Sequence, residues 1–407
     1  MKMNNHKNVR FLGRGEKLPG VGRTGISLHC HTLHSKENLD FVPYYAERIP
    51  IVSYLWKRES RRDPRADDNR TLIKTGYWTP PLTGPQVFEM ETKSMASFGL
   101  DGIVSITDHD SINANLELRQ DLDADKAPIS LEWTVPFADA FFHVGVHNLP
   151  ADDAVEMTKQ LLEYTYASGE PSDKRLHELF SLLNDLPDVL VVLNHPIWDI
   201  EMIGQRRHEQ TLDQFLSGHS KWIHAIEING FRAWAENETA IELAESLGIP
   251  IVSGGDRHCF HSNTMFNVSN ADSFCEFVRE IRVDGHSNVA VTPEYHTPLP
   301  SRQVASIAQI LGNFKDFPEG RQRWSDRIYF ESEDDKSRKT LTEHWNGRQP
   351  IWSRAALLAL AVVSHPLMRP IIGLTVGDTD IGMDDRRIEP VFVPGAAQIG
   401  AVRLRTE

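Results

Sequence analysis

From about residue 25 to residue 295, short apolar runs alternate with longer stretches in which apolar residues recur at every third or fourth position. Runs of the first kind suit buried strands and stretches of the second kind suit amphipathic helices, so the pattern predicts parallel strands joined by helices. Strands are expected at 26–29, 102–107, 129–132, 141–147, 189–194, 223–228 and 250–253, with helices around 87–98, 154–167, 174–183, 235–247 and 273–281. Strand and helix units repeated on this scale predict a closed or nearly closed α/β barrel whose site opens where the strands end.

Three stretches fall outside this rhythm. Residues 1–24 read as an N-terminal arm. Residues 36–84 are polar, with Arg, Asp and Pro crowded between 61 and 70, and they interrupt the passage from the first strand to the first helix. So long a connection suits a lid, a substrate loop or a disordered insertion. Residues 297–407 lack strand alternation and are expected to form a mostly helical extension to a domain spanning 25–296. The longest apolar stretch, 355–363, falls well short of the roughly 20 residues of a spanning helix. It is expected as a buried helix, with a shallow membrane-surface contact as the alternative.

Composition narrows the class. With 40% hydrophobic and 25% charged residues the chain has ordinary globular character. Cys30, Cys259 and Cys275 give no disulfide framework, and the polar start MKMNNHKNVR is no secretory signal, so a cytoplasmic protein without a transmembrane segment is expected. Acidic residues exceed basic ones, 57 against 43, for a formal charge of -14. That charge opposes attraction to duplex nucleic acid, although a cleft filled with cations still holds a single phosphate.

The candidate chemistry sits at predicted strand ends. His29 and His31 in LHCHT stand where alternate side chains share a face, so both imidazoles can reach one ion. Asp108, His109 and Asp110 follow the apolar GIVSI; either carboxylate can also cap the helix entered through Ser111, and His109 can equally be a surface residue. Glu132 follows ISL, and His143 lies within FFHVGVH. His147, on the same face as His143, is its rival, but it lies further toward the loop and His143 is preferred. Carboxylate and imidazole together suit hard and borderline divalent ions, and a carboxylate can bridge two of them.

Asn194, His195 and Pro196 follow VLVVL, and Asp256 and His258 in SGGDRH follow IPIVS. Gly254 and Gly255 either let the backbone turn tightly near bound groups or simply end the strand. Chance would have to put a histidine or carboxylate at the same end of six otherwise apolar strands. One site holding two or three divalent ions is the better reading.

In their order along the chain, HCHTLHS, ITDHD, SLEW, FHVGV, NHP and SGGDRH resemble the motifs of the PHP family, named for polymerase and histidinol phosphatase. The match covers about residues 25–295. The resemblance implies a distorted seven-stranded (β/α)7 TIM-like barrel with up to three divalent ions, manganese, iron or zinc, and phosphoester hydrolysis. Carried over by motif, His29 and His31 look like ligands of one ion and Glu132 like a bridge between ions. His109, His143 and His195 look like ligands of a neighbouring ion, Asp256 and His258 close the site, and Asp108 reads as a residue that orients an imidazole. One departure stands out. After Ser35 the family places an Asp, or a His one residue later, whereas this chain has Lys36 and Glu37. Glu37 can replace that ligand; Lys36 in the same place would leave an ion out or hold a substrate phosphate as a point charge.

The expected reaction is hydrolysis of a phosphomonoester or phosphodiester, on a small metabolite or short oligonucleotide, by metal-activated hydroxide. Arg232, after IEING, and Arg257, beside Asp256, are candidates for neutralising the transferring group, with plain surface positions as the alternative. Two other readings stay open: a metal-dependent hydrolase of a non-phosphate bond, and a non-catalytic metal-binding regulatory module. Tyr44, Tyr45, Trp56 and Trp78 are expected to anchor the insertion rather than stack on a substrate. The pattern says nothing about oligomeric state.

Overall fold

The computed structural model describes residues 8–18, 22–39, 76–123, 125–169, 172–261, 263–331, 337–365 and 367. Most of the expected insertion lies outside these residues, including Tyr44, Tyr45, Trp56 and the 61–70 stretch, as does 368–407 of the extension. The strands are β1 (Val9–Phe11), β2 (Thr24–Ser27), β3 (Glu37–Asn38), β4 (Tyr77–Trp78), β5 (Asp101–Val104), β6 (Leu131–Phe137), β7 (Ala140–His147), β8 (Leu190–Leu193), β9 (Ala225–Asn229), β10 (Ile251–Gly254), β11 (Met265–Ser269), β12 (Val289–Val291), β13 (Ile328–Glu331) and β14 (Arg338–Thr340). The helices are α1 (Gly84–Ala96), α2 (Asn113–Leu118), α3 (Ala154–Thr165), α4 (Asp173–Asn184), α5 (Gln205–His219), α6 (Trp234–Leu247), α7 (Phe274–Arg282), α8 (Leu299–Ile310), α9 (Leu341–His344) and α10 (Ile351–Val363).

Among the described residues these strands form three sheets, and none closes on itself. The first runs β1-β12-β11-β2-β5 and the second β10-β9-β8-β7-β6, each mixing parallel and antiparallel pairs. The third, β14-β13-β4-β3, is antiparallel throughout. The expected seven-stranded barrel of parallel strands is therefore corrected.

Two features account for the difference. A parallel crossover needs roughly a dozen residues, but β6 and β7 are separated only by Ala138 and Asp139, with Ala138 in the left-handed region at φ 53°. They pair as an antiparallel hairpin from Leu131↔Val146 to Phe137↔Ala140. In addition, β11, which the sequence pattern did not predict, inserts antiparallel between β2 and β12. The two larger sheets meet at two single-residue bridges, His109↔Glu132 and Cys30↔Arg257.

Helix packing follows from small local choices. A capping box between Thr83 and Gln86 opens α1, with Pro85 in its first turn. The helix then lies tightly on β2 and β5. A Cβ at Gly25 would stand 2.7 Å from Met95 Sδ, and one at Gly102 would stand 2.8 Å from Thr92 Cγ2. α5 escaped the pattern because its opening, QRRHEQ, is polar; it nevertheless buries His208, Leu212, Phe215 and His219 at helical spacing.

The extension supplies α8, α9 and α10, but also β13 and β14 of the third sheet. Through that sheet Glu37 pairs with Trp78, and Trp78 with Ile328, so the extension braces a residue of the candidate site. The helix expected to be buried at 355–363 is only partly so: Leu360 is covered, while Leu358 and Val362 are exposed. No helix among the described residues is long and apolar enough to cross a membrane.

Candidate metal centre

Residues from all three sheets converge where the two larger ones meet. His29 and His31 follow β2, His109 follows β5, and Glu37 comes from β3. The second sheet supplies Glu132 from β6, His143 from β7, His195 just after β8, and Asp256 and His258 after β10. Overlapping groups drawn from these residues, such as His29, His31 and Glu132, or His109, Glu132 and His143, place one donor atom each within 4.8 Å of one another and could hold a metal ion.

Glu132 stands in the middle. Its Oε2 lies 3.0 Å from His29 Nε2, 3.5 Å from His31 Nε2 and 3.4 Å from His109 Nδ1. Its Oε1 lies 3.2 Å from both His143 Nδ1 and His195 Nε2, and accepts from Asn194 Nδ2 at 3.0 Å. The two oxygens thus face two different sets of imidazoles. Asp256 Oδ1 is 3.5 Å from His31 Nε2 and 3.6 Å from His258 Nδ1. Glu37 Oε2 is 3.2 Å from both His109 Nε2 and His258 Nε2, whereas Lys36 is exposed, with its Nζ over the Tyr77 ring. The geometry therefore brings Glu37, not Lys36, to the cluster.

His195 and Asp256 both adopt positive φ, 26° and 49°, a region that non-glycine residues visit uncommonly.

No family model matches the sequence, and no curated protein matches it. Among solved structures, the chain is similar to PsfC from Pseudomonas syringae PB-5123, at 17% identity over 51% of this chain and 83% of that one, with a TM-score of 0.35. It is also similar to an amidohydrolase from Chromobacterium violaceum with bound sulfate and no metal, at 15% identity over 44% of this chain and 84% of that one, with a TM-score of 0.28. Neither likeness is close enough to carry weight; the chemistry has to be read from the residues of the cluster.

Electrostatics favour the anionic form of the three carboxylates in the cluster. Burial alone would raise the pKa of Glu132, but His29, His109 and His143 outweigh it and hold the group well below its ordinary range. Glu37 and Asp256 are likewise held well below theirs, against their burial, by the neighbouring histidines. The imidazoles divide into two kinds. Burial opposes a charge on His29, yet Glu132, Glu227 and Asp256 hold its pKa well above the usual value, and Glu37 and Glu132 lift His109 to about 10 in the same way. Burial prevails at His31 and His143, both lowered to about 4. A cation bound among these carboxylates would compete with the protons on His29 and His109, so uptake of metal is expected to release protons. His31 Nε2 and His195 Nδ1 are buried without a hydrogen-bond partner, and the donor set of imidazoles and carboxylates fits a divalent ion.

Other expectations meet a different arrangement. Among the described residues Asp108 makes no hydrogen bond to an imidazole: it accepts the Thr32 backbone N–H at 2.5 Å and the Thr32 hydroxyl at 2.6 Å, and so ties the loop after His31. Burial raises its pKa to about 7 despite those bonds. Arg257 is also taken up elsewhere, its Nε donating to Glu91 Oε1 at 2.5 Å and its remaining nitrogens to the carbonyls of Cys259 and Val87. Arg232, 8% exposed, lies with its guanidinium carbon 3.8 Å from the centre of the Trp198 ring, which packs edge-on against His195. His147 shares the face of His143, but because β7 runs antiparallel it sits at the far end of the strand, beside Ser105.

Sequence reasoning missed Glu227. Its Oε1 receives the Nδ1–H of His29 at 2.6 Å, and its Oε2 accepts the His195 backbone N–H at 2.8 Å. A carboxylate placed so holds the imidazole in one orientation, with its other nitrogen turned toward Glu132 and able to face an ion. A glutamate inside the buried strand AIEIN was the available signal. Gly254 has its reason here too: a Cβ at that position would overlap Glu227 Oε1 and His29, so the residue is small to admit the pair rather than to turn the chain.

Proposed function

We propose that this chain is a metal-dependent hydrolase of phosphate esters, acting on a phosphorylated small metabolite or short oligonucleotide with two or three divalent ions of the manganese, iron or zinc class. One observation carries the reading: Glu132, buried and anionic, has its two oxygens facing separate sets of imidazoles. That is the arrangement a carboxylate bridging neighbouring ions requires.

His29, His31, Glu37, His109, Glu132, His143, His195, Asp256 and His258 would hold the ions. The chemistry supplied when they are bound is Lewis acidity toward water and toward the phosphate oxygens. The protein's own part is positional. Glu227 keeps His29 in one orientation, and Asn194 fixes Glu132 from the side. Arg232 favours phosphate over a neutral substrate, because a buried guanidinium whose Nε lacks a partner gains most from an anion.

The test is hydrolysis of an aryl phosphate ester alongside elemental analysis of the purified protein. The proposal expects two or three equivalents of metal in the cluster, turnover abolished by a chelator and restored by manganese or zinc, and loss of turnover together with the cluster's metal in His29→Ala, His31→Ala. Turnover of amides or lactones alone would move the function to another bond. Full metal content with no turnover of any ester, amide or lactone would leave a binding module.

A further inference from the structure

A second group of metal-type donors lies outside the cluster. Asp173 and His177 stand one helical turn apart on α4, and His219 is the last residue of α5. His219 Nε2 lies 3.3 Å from Asp173 Oδ1, and His177 Nε2 lies 3.7 Å from Asp173 Oδ2. The two imidazole rings are 4.8 Å apart between centres.

The environment of His219 is what calls for explanation. The residue has 0% exposure, yet among the described residues its Nδ1 has no hydrogen-bond partner and its Nε2 meets only the Asp173 carboxylate, while His177 Nε2 has no hydrogen-bond partner either. Phe137, Phe180, Phe215 and Trp222 pack around the ring and offer it no polar group. An unsatisfied buried imidazole is costly, and such groups usually mark a bound water or ion. Asp173, with its side chain 67% exposed, opens the group to solvent. Among the described residues no lysine or arginine pairs with Asp173, and Lys221 lies instead over the Trp222 ring at 4.0 Å.

We propose that Asp173, His177 and His219 form a separate site for one zinc-class divalent ion, two imidazoles and a carboxylate with solvent completing the coordination. Two ligands each bound at about 2.0–2.1 Å in a tetrahedral arrangement stand about 3.4 Å apart; His219 Nε2 and Asp173 Oδ1 are 3.3 Å apart, and His177 Nε2 lies 3.7 Å from the other oxygen of the same carboxylate. Such an ion clamps the start of α4 to the end of α5. It needs nothing from the main cluster and holds whether or not the chain hydrolyses phosphate esters.

The experiment is zinc content after exhaustive dialysis, on the untagged full chain, in wild type, His177→Ala, Asp173→Asn and His29→Ala, His31→Ala. Expected is one equivalent fewer in both His177→Ala and Asp173→Asn, with aryl phosphate turnover unchanged. The main-cluster variant should keep one equivalent, which disappears when His177→Ala is added. Both single changes lie at partly exposed positions, so they test the site even where the main-cluster variant fails to fold. Zinc content equal to wild type in His177→Ala and Asp173→Asn overturns the proposal.

Discussion

Arg232 and Arg257 stand at equivalent places, each three residues beyond the end of one of two paired parallel strands, β9 and β10. Both are buried, and both read alike in the sequence. Their surroundings differ. At the β10 exit α1 brings in Glu91, itself buried, and Arg257 spends its donors on that carboxylate and on two carbonyls. At the β9 exit Arg232 meets the face of Trp198, and its Nε finds no partner among the described residues. The same side chain is a fixed support in one place and, under the proposed function, an anion receptor in the other, and a helix far away in sequence makes the difference.

The largest expected effect comes from the closed side. Arg257→Ala leaves Glu91 as an uncompensated buried charge, which should cost about 3–5 kcal/mol in denaturant unfolding. The double change Glu91→Leu, Arg257→Met should recover most of that. A loss under about 1 kcal/mol in the single variant would mean that the pair does not support the fold as described.

Next in size are the residues that hold His29. Glu227→Gln should weaken metal retention by about 10–100-fold, measured by competition with a chelator. Gly254→Ala should do at least as much and also destabilise the fold by about 1–3 kcal/mol, since the new methyl overlaps Glu227 and His29. Unchanged metal affinity in both would separate Glu227 from the cluster.

Arg232 should show the opposite profile from Arg257. In Arg232→Ala the KM for a phosphate ester should rise by about tenfold or more, the loss of one charge-assisted contact, while stability changes by about 1 kcal/mol or less. Arg232→Lys should restore only part of the affinity. A stability loss as large as that of Arg257→Ala, with KM unchanged, would erase the contrast between the two exits.

The smallest effect offers a control away from the cluster. His224 Nδ1 accepts the Val191 backbone N–H, and its Nε2 faces Asn184, so the ring must be neutral to make both contacts. Burial, with Arg282 nearby, lowers its pKa to about 3. The unfolded chain takes up this proton near pH 6.5 and the folded one only near pH 3, so stability is present above the unfolded pKa and falls as pH drops below it. Between about pH 7 and 5.5 the group should account for about 1 kcal/mol of lost stability, visible as the difference between wild type and His224→Gln. Equal pH slopes in the two proteins would show that burial does not hold the ring neutral.

Much of the site was legible because histidine and carboxylate are common donors to divalent ions, and such residues are conspicuous at the ends of apolar strands. His29, His31, His109, Glu132, His143, His195, Asp256 and His258 all announced themselves in this way, and the structure brings them together with Glu37. Glu227 did not, since one glutamate in a strand carries no spacing signal. The strands and helices of the region were largely readable from apolar periodicity. The hairpin of β6 and β7 and the insertion of β11 were not, because periodicity reports which face of a strand is buried and not which neighbour it pairs with.

The sequence alone, then, determined most elements of the 25–295 region, the donor types and their order along the chain, all of which are local or compositional properties. Tertiary structure decided the rest. It set sheets that stay open in place of a barrel, turned Glu37 inward and Lys36 outward, and gave Asp108 to Thr32. It also paired Arg257 with Glu91 while leaving Arg232 open, and set His219 beside Asp173. The reason is physical: a buried polar side chain takes its role from whichever partner reaches it through space, and for Arg257 that partner stands 166 residues away along the chain.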